Sequence, residues 1–188
     1  ADVRWTVLAA NYYFNYTGEG YYDFWDYDWS SYEGEPFYGR YGEVILEKEG
    51  KTDSQGRAIL EVSADLSKDG QSRLYTIEAV VRDINGQEVA GRTEVIVHQG
   101  KFYVGIRPED YVGQAGKSAS FNLITADWQS NAFPNQKLQV VFNDHQWNCA
   151  LETDVETGNK SWGCHVKDTL VDQKEVTTDS KGLATVSF

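Results

Sequence analysis

Short runs of alternating apolar and polar residues make up most of this chain, and turn residues separate one run from the next. Such alternation places successive side chains on opposite faces of a strand. No window keeps the spacing of an amphipathic helix over three turns. Strands are therefore predicted at residues 3–8, 58–62, 74–81, 88–89, 93–97, 102–106, 120–124 and 138–142.

Turns that contain glycine join several of these strands. Asn85-Gly86 is the strongest short hairpin signal, because both residues tolerate positive φ. Gly56 and Gly182 mark two further turns. Many short strands with turns about every 8–12 residues predict an all-β fold, an antiparallel β-sandwich of the immunoglobulin or fibronectin type III kind. A break at residues 98–101 predicts two tandem modules, at residues 1–98 and 99–188.

An internal repeat supports this division. The sequence TDSQGRA at residues 52–58 recurs as TDSKGLA at residues 178–184, and a comparable strand lies upstream of each copy, at residues 1–7 and 136–142. The repeats are out of phase with the chain ends. We therefore expect the first module to lack N-terminal strands and the second to lack C-terminal strands, so that neighbouring sequence must cover the exposed sheet edges.

Composition and charge narrow the class of protein. Hydrophobic residues form 40 % of the 188 residues, enough for a buried core, and the formal net charge is −12. Such a field repels phosphate, so no nucleic-acid partner is expected. No apolar run is long enough to span a membrane. The chain contains no Met and opens directly on the strand pattern, so we expect a processed or excised piece of a longer chain.

Several motifs together resemble the macroglobulin-like domains of the alpha-2-macroglobulin family, in particular its large bacterial members. The pattern Thr-Asp-x-x-Gly-x-Ala is followed by a strand and then by YTIEAVVRDINGQEV at residues 75–89. FYVGI at residues 102–106 resembles the opening of the next such domain. That domain continues through Tyr111, Val112, Gly116, Phe121 and residues 177–188. The resemblance covers most of the chain outside residues 12–41.

This resemblance implies macroglobulin-like sandwich domains in the array of a protease trap, secreted or anchored in a bacterial cell envelope. A protease cuts a bait segment of such a protein, which then rearranges to enclose it. Many members carry a Cys-x-Glu-Gln thioester, but Cys149 and Cys164 are followed by Ala-Leu-Glu and His-Val-Lys. The chain is therefore expected to be scaffold without thioester chemistry. Its implied partners are neighbouring domains of the parent chain and, through that parent, target proteases.

The two cysteines can face each other across a hairpin whose polar connection is residues 152–161. Antiparallel pairing puts both on one strand face together with four apolar residues, Trp147, Leu151, Trp162 and Val166. We predict a disulfide between Cys149 and Cys164, which stabilises by about 3 kcal/mol in the chain-entropy model. A disulfide indicates an oxidising compartment.

Two alternatives stay open for these cysteines. His145 and His165 flank them, which would suit a zinc site, although the adjacent Cys164 and His165 point to opposite faces of a strand and spoil a tetrahedral cluster. The other alternative is a pair of free, buried thiols.

Residues 12–41 hold more than half of the aromatic residues, interleaved with acids. The rings belong to Tyr12, Tyr13, Phe14, Tyr16, Tyr21, Tyr22, Phe24, Trp25, Tyr27, Trp29, Tyr32, Phe37, Tyr38 and Tyr41. So many rings cannot all enter a core of this size. We predict a long insert in the first module, packed by its own rings against the sheet.

Other uses of this insert stay open. Exposed aromatic patches mark protein–protein contacts. The residues predicted for such a surface are Tyr22, Phe24, Trp25, Tyr27 and Trp29. Rings beside acidic acceptors also suit glycans, so a carbohydrate-binding or adhesin-like surface module is the alternative function. Asp23, Asp26 and Asp28 offer oxygen ligands for calcium, although their spacing does not match an EF-hand.

No constellation in this sequence indicates catalysis. His98, His145 and His165 accompany neither a Gly-x-Ser-x-Gly motif nor a Gly-rich phosphate loop. Paired carboxylates occur by chance in an acidic chain. We therefore expect no enzyme, no catalytic residue, no metal and no cofactor. The expected role is architectural, and the expected location is extracellular, periplasmic or anchored at the cell surface.

Overall fold

The computed structural model describes residues 1–25, 41–67, 70–153 and 158–188. Over these residues the regular elements are antiparallel β-strands and no helix occurs. The predicted all-β, antiparallel class is confirmed. The contacts divide the chain into two units, residues 1–13 with the described part of 36–101, and residues 14–25 with Phe102–Phe188. This division falls at the end of the break predicted at residues 98–101.

The first unit is a four-stranded sheet with the order β2-β1-β3-β4. Its strands are β1 (Asp2–Asn11), β2 (Glu43–Lys51), β3 (Arg73–Arg82) and β4 (Glu88–Val97). The period of two predicted for β1 is confirmed, because Val3, Trp5, Val7 and Ala9 are buried whereas the residues between them are more exposed. This alternation gives β1, one of the two inner strands of the sheet, a single core face.

A non-regular segment covers that core face. The strand predicted at residues 58–62 is wrong, because residues 57–66 belong to no strand. Leu60, Val62 and Leu66 nevertheless pack against the cluster of Val7 and Tyr75. The alternation thus predicted which side chains face the core. It did not predict a strand correctly, because a strand also needs a neighbouring strand to which its backbone can hydrogen-bond.

The second unit combines a three-stranded sheet with a long two-stranded ribbon. Its strands are β5 (Tyr103–Pro108), β6 (Ser120–Ala126), β7 (Lys137–Thr153), β8 (Lys160–Thr177) and β9 (Leu183–Ser187), ordered β5-β6-β9 and β7-β8. Phe142 of β7 stacks on Phe188 at 5.1 Å between ring centroids and lies 6.3 Å from Phe121 of β6. These rings pack the base of the ribbon onto the sheet.

The internal repeat forms the same local structure in both units. The Thr52 N–H donates to the Ala1 carbonyl at 3.0 Å, and the Thr178 N–H donates to the Gln136 carbonyl at 2.9 Å. In return the Thr52 hydroxyl accepts from the Ala1 ammonium at 2.9 Å, and the Thr178 hydroxyl accepts from the Gln136 N–H at 2.8 Å. In each unit, the reciprocal bonds join the residue before one strand (β1 or β7) to the threonine that follows its partner strand (β2 or β8).

One kind of aspartate-capped turn occurs four times in the part of the chain that the structure describes. In each, a carboxylate oxygen accepts the backbone N–H groups two and four residues further on at 2.8–2.9 Å. The aspartates are Asp53, Asp83, Asp127 and Asp179, and the residues three further on have φ between 67° and 81°. Only Gly86 of the Asn85-Gly86 pair adopts positive φ, and Ser130 takes the glycine position in the turn of Asp127.

Acid is expected to weaken these turns. Backbone N–H donation from Arg57 lowers the pKa of Asp53, and donation from Leu183 and Lys181 lowers the pKa of Asp179. A carboxylate with a lowered folded-state pKa stabilises the fold above its ordinary pKa, and this contribution is lost as pH falls through the folded value. Urea unfolding between about pH 7 and about pH 2 should therefore show a falling free energy of unfolding. An Asp179→Asn variant keeps an accepting oxygen, so its free energy of unfolding should depend less steeply on pH. A pH dependence equal to that of the wild type would contradict this account.

Candidate interaction surfaces

Residues 14–25 of the aromatic insert pack within the second unit, whereas Tyr12, Tyr13 and Tyr41 belong to the first. Phe14 stacks on Tyr103 of β5 at 4.1 Å between centroids. The Asp23 N–H donates to the Ile106 carbonyl, and the Ile106 N–H donates to the Asp23 carbonyl, both at 2.8 Å. The expected division placed the whole insert in the first module, whereas these contacts group residues 14–25 with the second unit.

A glycine in β5 makes this close approach of the insert feasible. A Cβ atom on Gly105 would lie 2.6 Å from Cζ of Phe24 and 2.8 Å from Cγ2 of Ile124. Phe24 also packs edge-on against Phe14, with 5.1 Å between the centroids. The missing side chain at Gly105 therefore provides the space into which the Phe24 ring fits.

Three of the five residues predicted as an interaction surface lie in the described part of the chain. Tyr22 and Phe24 are half-buried, and the Arg107 guanidinium lies 5.0 Å from the Tyr22 ring centroid. Trp25 is 44 % exposed, and its indole N–H donates to the Phe14 carbonyl at 3.2 Å. These rings pack largely within the unit. Tyr27 and Trp29, and the Asp26 and Asp28 of the calcium alternative, lie outside the described residues.

The ribbon β7–β8 pairs in the register expected from the sequence. Cys149 lies opposite Cys164, and the two sulfur atoms are bonded at 2.12 Å. The flanking cross-strand pairs are Trp147–Val166 and Leu151–Trp162. All six side chains share one face of the ribbon because strand side chains alternate.

Beyond its base this ribbon exposes that apolar face. We define the ribbon face by residues on the disulfide side of β7 and β8: Trp147, Leu151, Trp162, Val166 and Leu170. The exposed fractions of Trp147, Leu151, Trp162 and Leu170 are 47 %, 52 %, 70 % and 57 %. The opposite face carries polar groups, among them Gln146, Asn148 and Lys167. In the outer ribbon, residues 143–153 and 160–170, the disulfide side thus exposes apolar side chains together with the polar pair His145–Asp168.

The histidines that suggested a zinc site lie on opposite faces of the ribbon. His145 Nδ1 lies 2.7 Å from Asp168 Oδ1 on the ribbon face. His165 Nε2 lies 2.8 Å from Glu152 Oε1 on the polar face. With both sulfurs in the disulfide, neither is present as the thiolate that binds zinc. Over the described residues no group of three or more His, Cys, Asp and Glu side chains is placed to hold a metal.

The likeness of this chain to known proteins lies in its fold. No protein-family model matches the chain, and no curated protein matches it. The whole chain aligns with the native conformation of Escherichia coli alpha-2-macroglobulin, with a TM-score of 0.63 and 16 % identity. The alignment with Salmonella alpha-2-macroglobulin reacted with methylamine has a TM-score of 0.62 and 16 % identity. The alignment with the E. coli protein activated by porcine elastase has a TM-score of 0.55 and 13 % identity.

The fold is therefore an all-β macroglobulin-like fold, and the resemblance inferred from the sequence motifs is confirmed at the level of the fold. The proteins that share it here are bacterial alpha-2-macroglobulins. The chain spans 12 % of the length of the native E. coli and methylamine-reacted Salmonella chains. Among the described residues, no helix combines the length and the apolar character that crossing a membrane requires.

Proposed function

We propose that this chain forms scaffold domains of a bacterial alpha-2-macroglobulin-like protease inhibitor. The observation that carries the proposal is the likeness to native E. coli alpha-2-macroglobulin, which extends over 100 % of the chain. Single β-sandwiches occur in many unrelated proteins. A match that includes both units in order is more specific than a match to either unit, because it also reproduces their succession along the chain.

The residues of the chain support an architectural role within such an inhibitor. Cys149 and Cys164 form a disulfide, and neither begins a Cys-x-Glu-Gln thioester sequence. The aspartate-capped turns and the disulfide hold strand register, which suits modules that position other parts of a parent protein. The disulfide also supports an extracellular, periplasmic or surface-anchored location, because such bonds persist in oxidising compartments.

The test uses the full-length parent protein mixed with elastase and with an unrelated protease. A trap should be cut at one confined site, and the protease should then lose activity on large substrates while keeping it on small ones. Scattered cleavage, or a protease unaffected on both substrates, would overturn the proposal. Quenching of Trp fluorescence by a glycan, lost in Trp25→Ala, would favour the surface-binding module instead.

A second comparison ties the activity to these two units. Gly182→Ala strains the second unit, whereas Gly56→Ala changes the matched turn of the first unit with open space around it. In the parent protein, a scaffold role predicts that cleavage persists in Gly182→Ala while the fraction of trapped protease falls. The scaffold role would be contradicted if the wild type and Gly182→Ala trapped equal fractions of protease although the second unit of the variant was destabilised.

A further inference from the structure

The turn between β3 and β4 places a nucleophile beside an electrophile. Asn85-Gly86 is the one Asn-Gly pair in the sequence. The side-chain amide carbon of an asparagine lies within reach of the backbone nitrogen of the next residue, and a glycine there has no Cβ atom to hinder the approach. Attack of that nitrogen on the amide carbon closes a succinimide ring. The pair therefore carries the groups that an intramolecular reaction needs.

The structure leaves this turn open to solvent. Residues 82–90 are exposed, and Ile84 within the turn is 99 % exposed. The Gly86 N–H donates to the Asp83 carbonyl at 3.1 Å, and the side-chain amide of Asn85 donates to Asp83 Oδ2 at 3.4 Å. Because both bonds lie at the surface, water can replace them without unpacking a core. Local opening of the turn therefore frees the Gly86 nitrogen.

We propose that Asn85 is a site of spontaneous deamidation in the folded protein. The Gly86 nitrogen gives up its proton to water and attacks Cγ of Asn85. The new C–N bond closes the succinimide, while the departing amide nitrogen takes up a proton and leaves as ammonia. One water molecule then opens the ring at either of its carbonyls. Opening at one carbonyl leaves Asp, and opening at the other leaves isoaspartate, in which the backbone runs through the former side chain.

The turn of Asp53 provides a natural comparison for this site. Gln55-Gly56 stands there in the place of Asn85-Gly86, and the Gly56 N–H likewise donates to the Asp53 carbonyl at 3.1 Å. The two glycines have φ of 78° and 81°. A glutamine has one more methylene group, so its ring closure would have to form the larger glutarimide from a less confined side chain. The two turns thus separate the effect of the asparagine from that of the turn.

Deamidation would weaken this end of the hairpin. In the intact turn Asp83 Oδ1 accepts both the Asn85 N–H and the Gln87 N–H at 2.8 Å. Isoaspartate adds a backbone atom between these two donors, so they can no longer meet one carboxylate in this geometry. The Asp product keeps the backbone length but sets a second carboxylate beside that of Asp83, and like charges repel. The adjacent cross-strand pair Arg82–Glu88 should therefore loosen.

The test is incubation of the folded 188-residue chain, followed by digestion in mild acid and mass spectrometry of the peptides. The Asn85 amide should be lost progressively to Asp and isoaspartate. Its loss should be faster at about pH 9 than at about pH 7, because more of the attacking nitrogen is then deprotonated. The Gln55 amide should persist in the same samples. Hydrogen exchange at the Arg82–Glu88 end should increase as the products accumulate.

Two variants exchange the amide side chains of the matched turns. Asn85→Gln should abolish deamidation at its position, and Gln55→Asn should introduce it at the other turn. Circular dichroism should show that both variants are folded. Loss of the Asn85 amide only after unfolding in urea would overturn the proposal. An inert Gln55→Asn would also contradict it, because the two turns share their geometry. These results do not depend on whether the parent protein inhibits proteases.

Discussion

Replacement of Gly182 by Ala is expected to destabilise the second unit by about 3 kcal/mol. Two effects add at this position. The residue has φ of 74°, which costs about 1 kcal/mol for any residue with a Cβ atom. The new Cβ would also lie 2.6 Å from the Thr125 carbonyl oxygen and 3.3 Å from the Phe133 nitrogen. Both neighbours are backbone atoms held by hydrogen bonds, so they cannot move aside cheaply.

The internal repeat supplies a control for this prediction. Gly56 occupies the same turn position with φ of 78°, but a Cβ atom on Gly56 would meet nothing within 4 Å beyond its own chain neighbours. Gly56→Ala should therefore cost only the backbone strain of about 1 kcal/mol. Urea unfolding gives the free energies, and hydrogen exchange of the β6 and β9 amides assigns the loss to the second unit. Equal losses in the two variants would contradict the packing argument.

Removal of the disulfide by the double substitution Cys149→Ser and Cys164→Ser is expected to lower the free energy of unfolding by about 3 kcal/mol. The bond closes a loop with a sequence separation of 15 residues, and opening that loop increases the entropy of the unfolded chain. The outer ribbon, which packs on no other layer among the described residues, should lose its protection from hydrogen exchange first. The rings at the ribbon base should hold the lower part in place.

Chemical reduction provides the comparison for this variant. A reductant should destabilise the wild type to the level of the double variant and leave the double variant unchanged. The unreduced wild type, denatured and mixed with a thiol reagent, should show no reaction. Reaction of both of its 2 cysteines would contradict the disulfide itself.

Several features of the fold could be predicted because they depend on neighbouring residues. The alternation of β1, with Val3 to Ala9 buried at every second position, follows from the two-residue period of a strand. The pairing of Cys149 with Cys164 was predictable because the register that sets the cysteines opposite each other also places four apolar residues on their face. The repeated turn at Asp53 and Asp179 was visible as a repeated sequence.

Other features were missed because their signal is weak in the sequence. β2 was not predicted, since its residues, EVILEKEGK, do not alternate. This strand lies at the sheet edge, where backbone hydrogen bonds to β1 hold it and Leu46 packs against the core. The turn at Asp127 was missed because Ser130 stands where the other three turns carry glycine.

The local pattern of residues thus determined the all-β class, the turns and the register of the ribbon, because strand alternation and turn chemistry act over a few residues. Only the tertiary structure decided which segments find a partner. Residues 57–66 alternate like a strand but pair with no neighbouring strand, and Phe24 packs over Gly105, which lies far along the chain from it. Both outcomes depend on groups far apart in the chain, whose meeting no short window of sequence encodes.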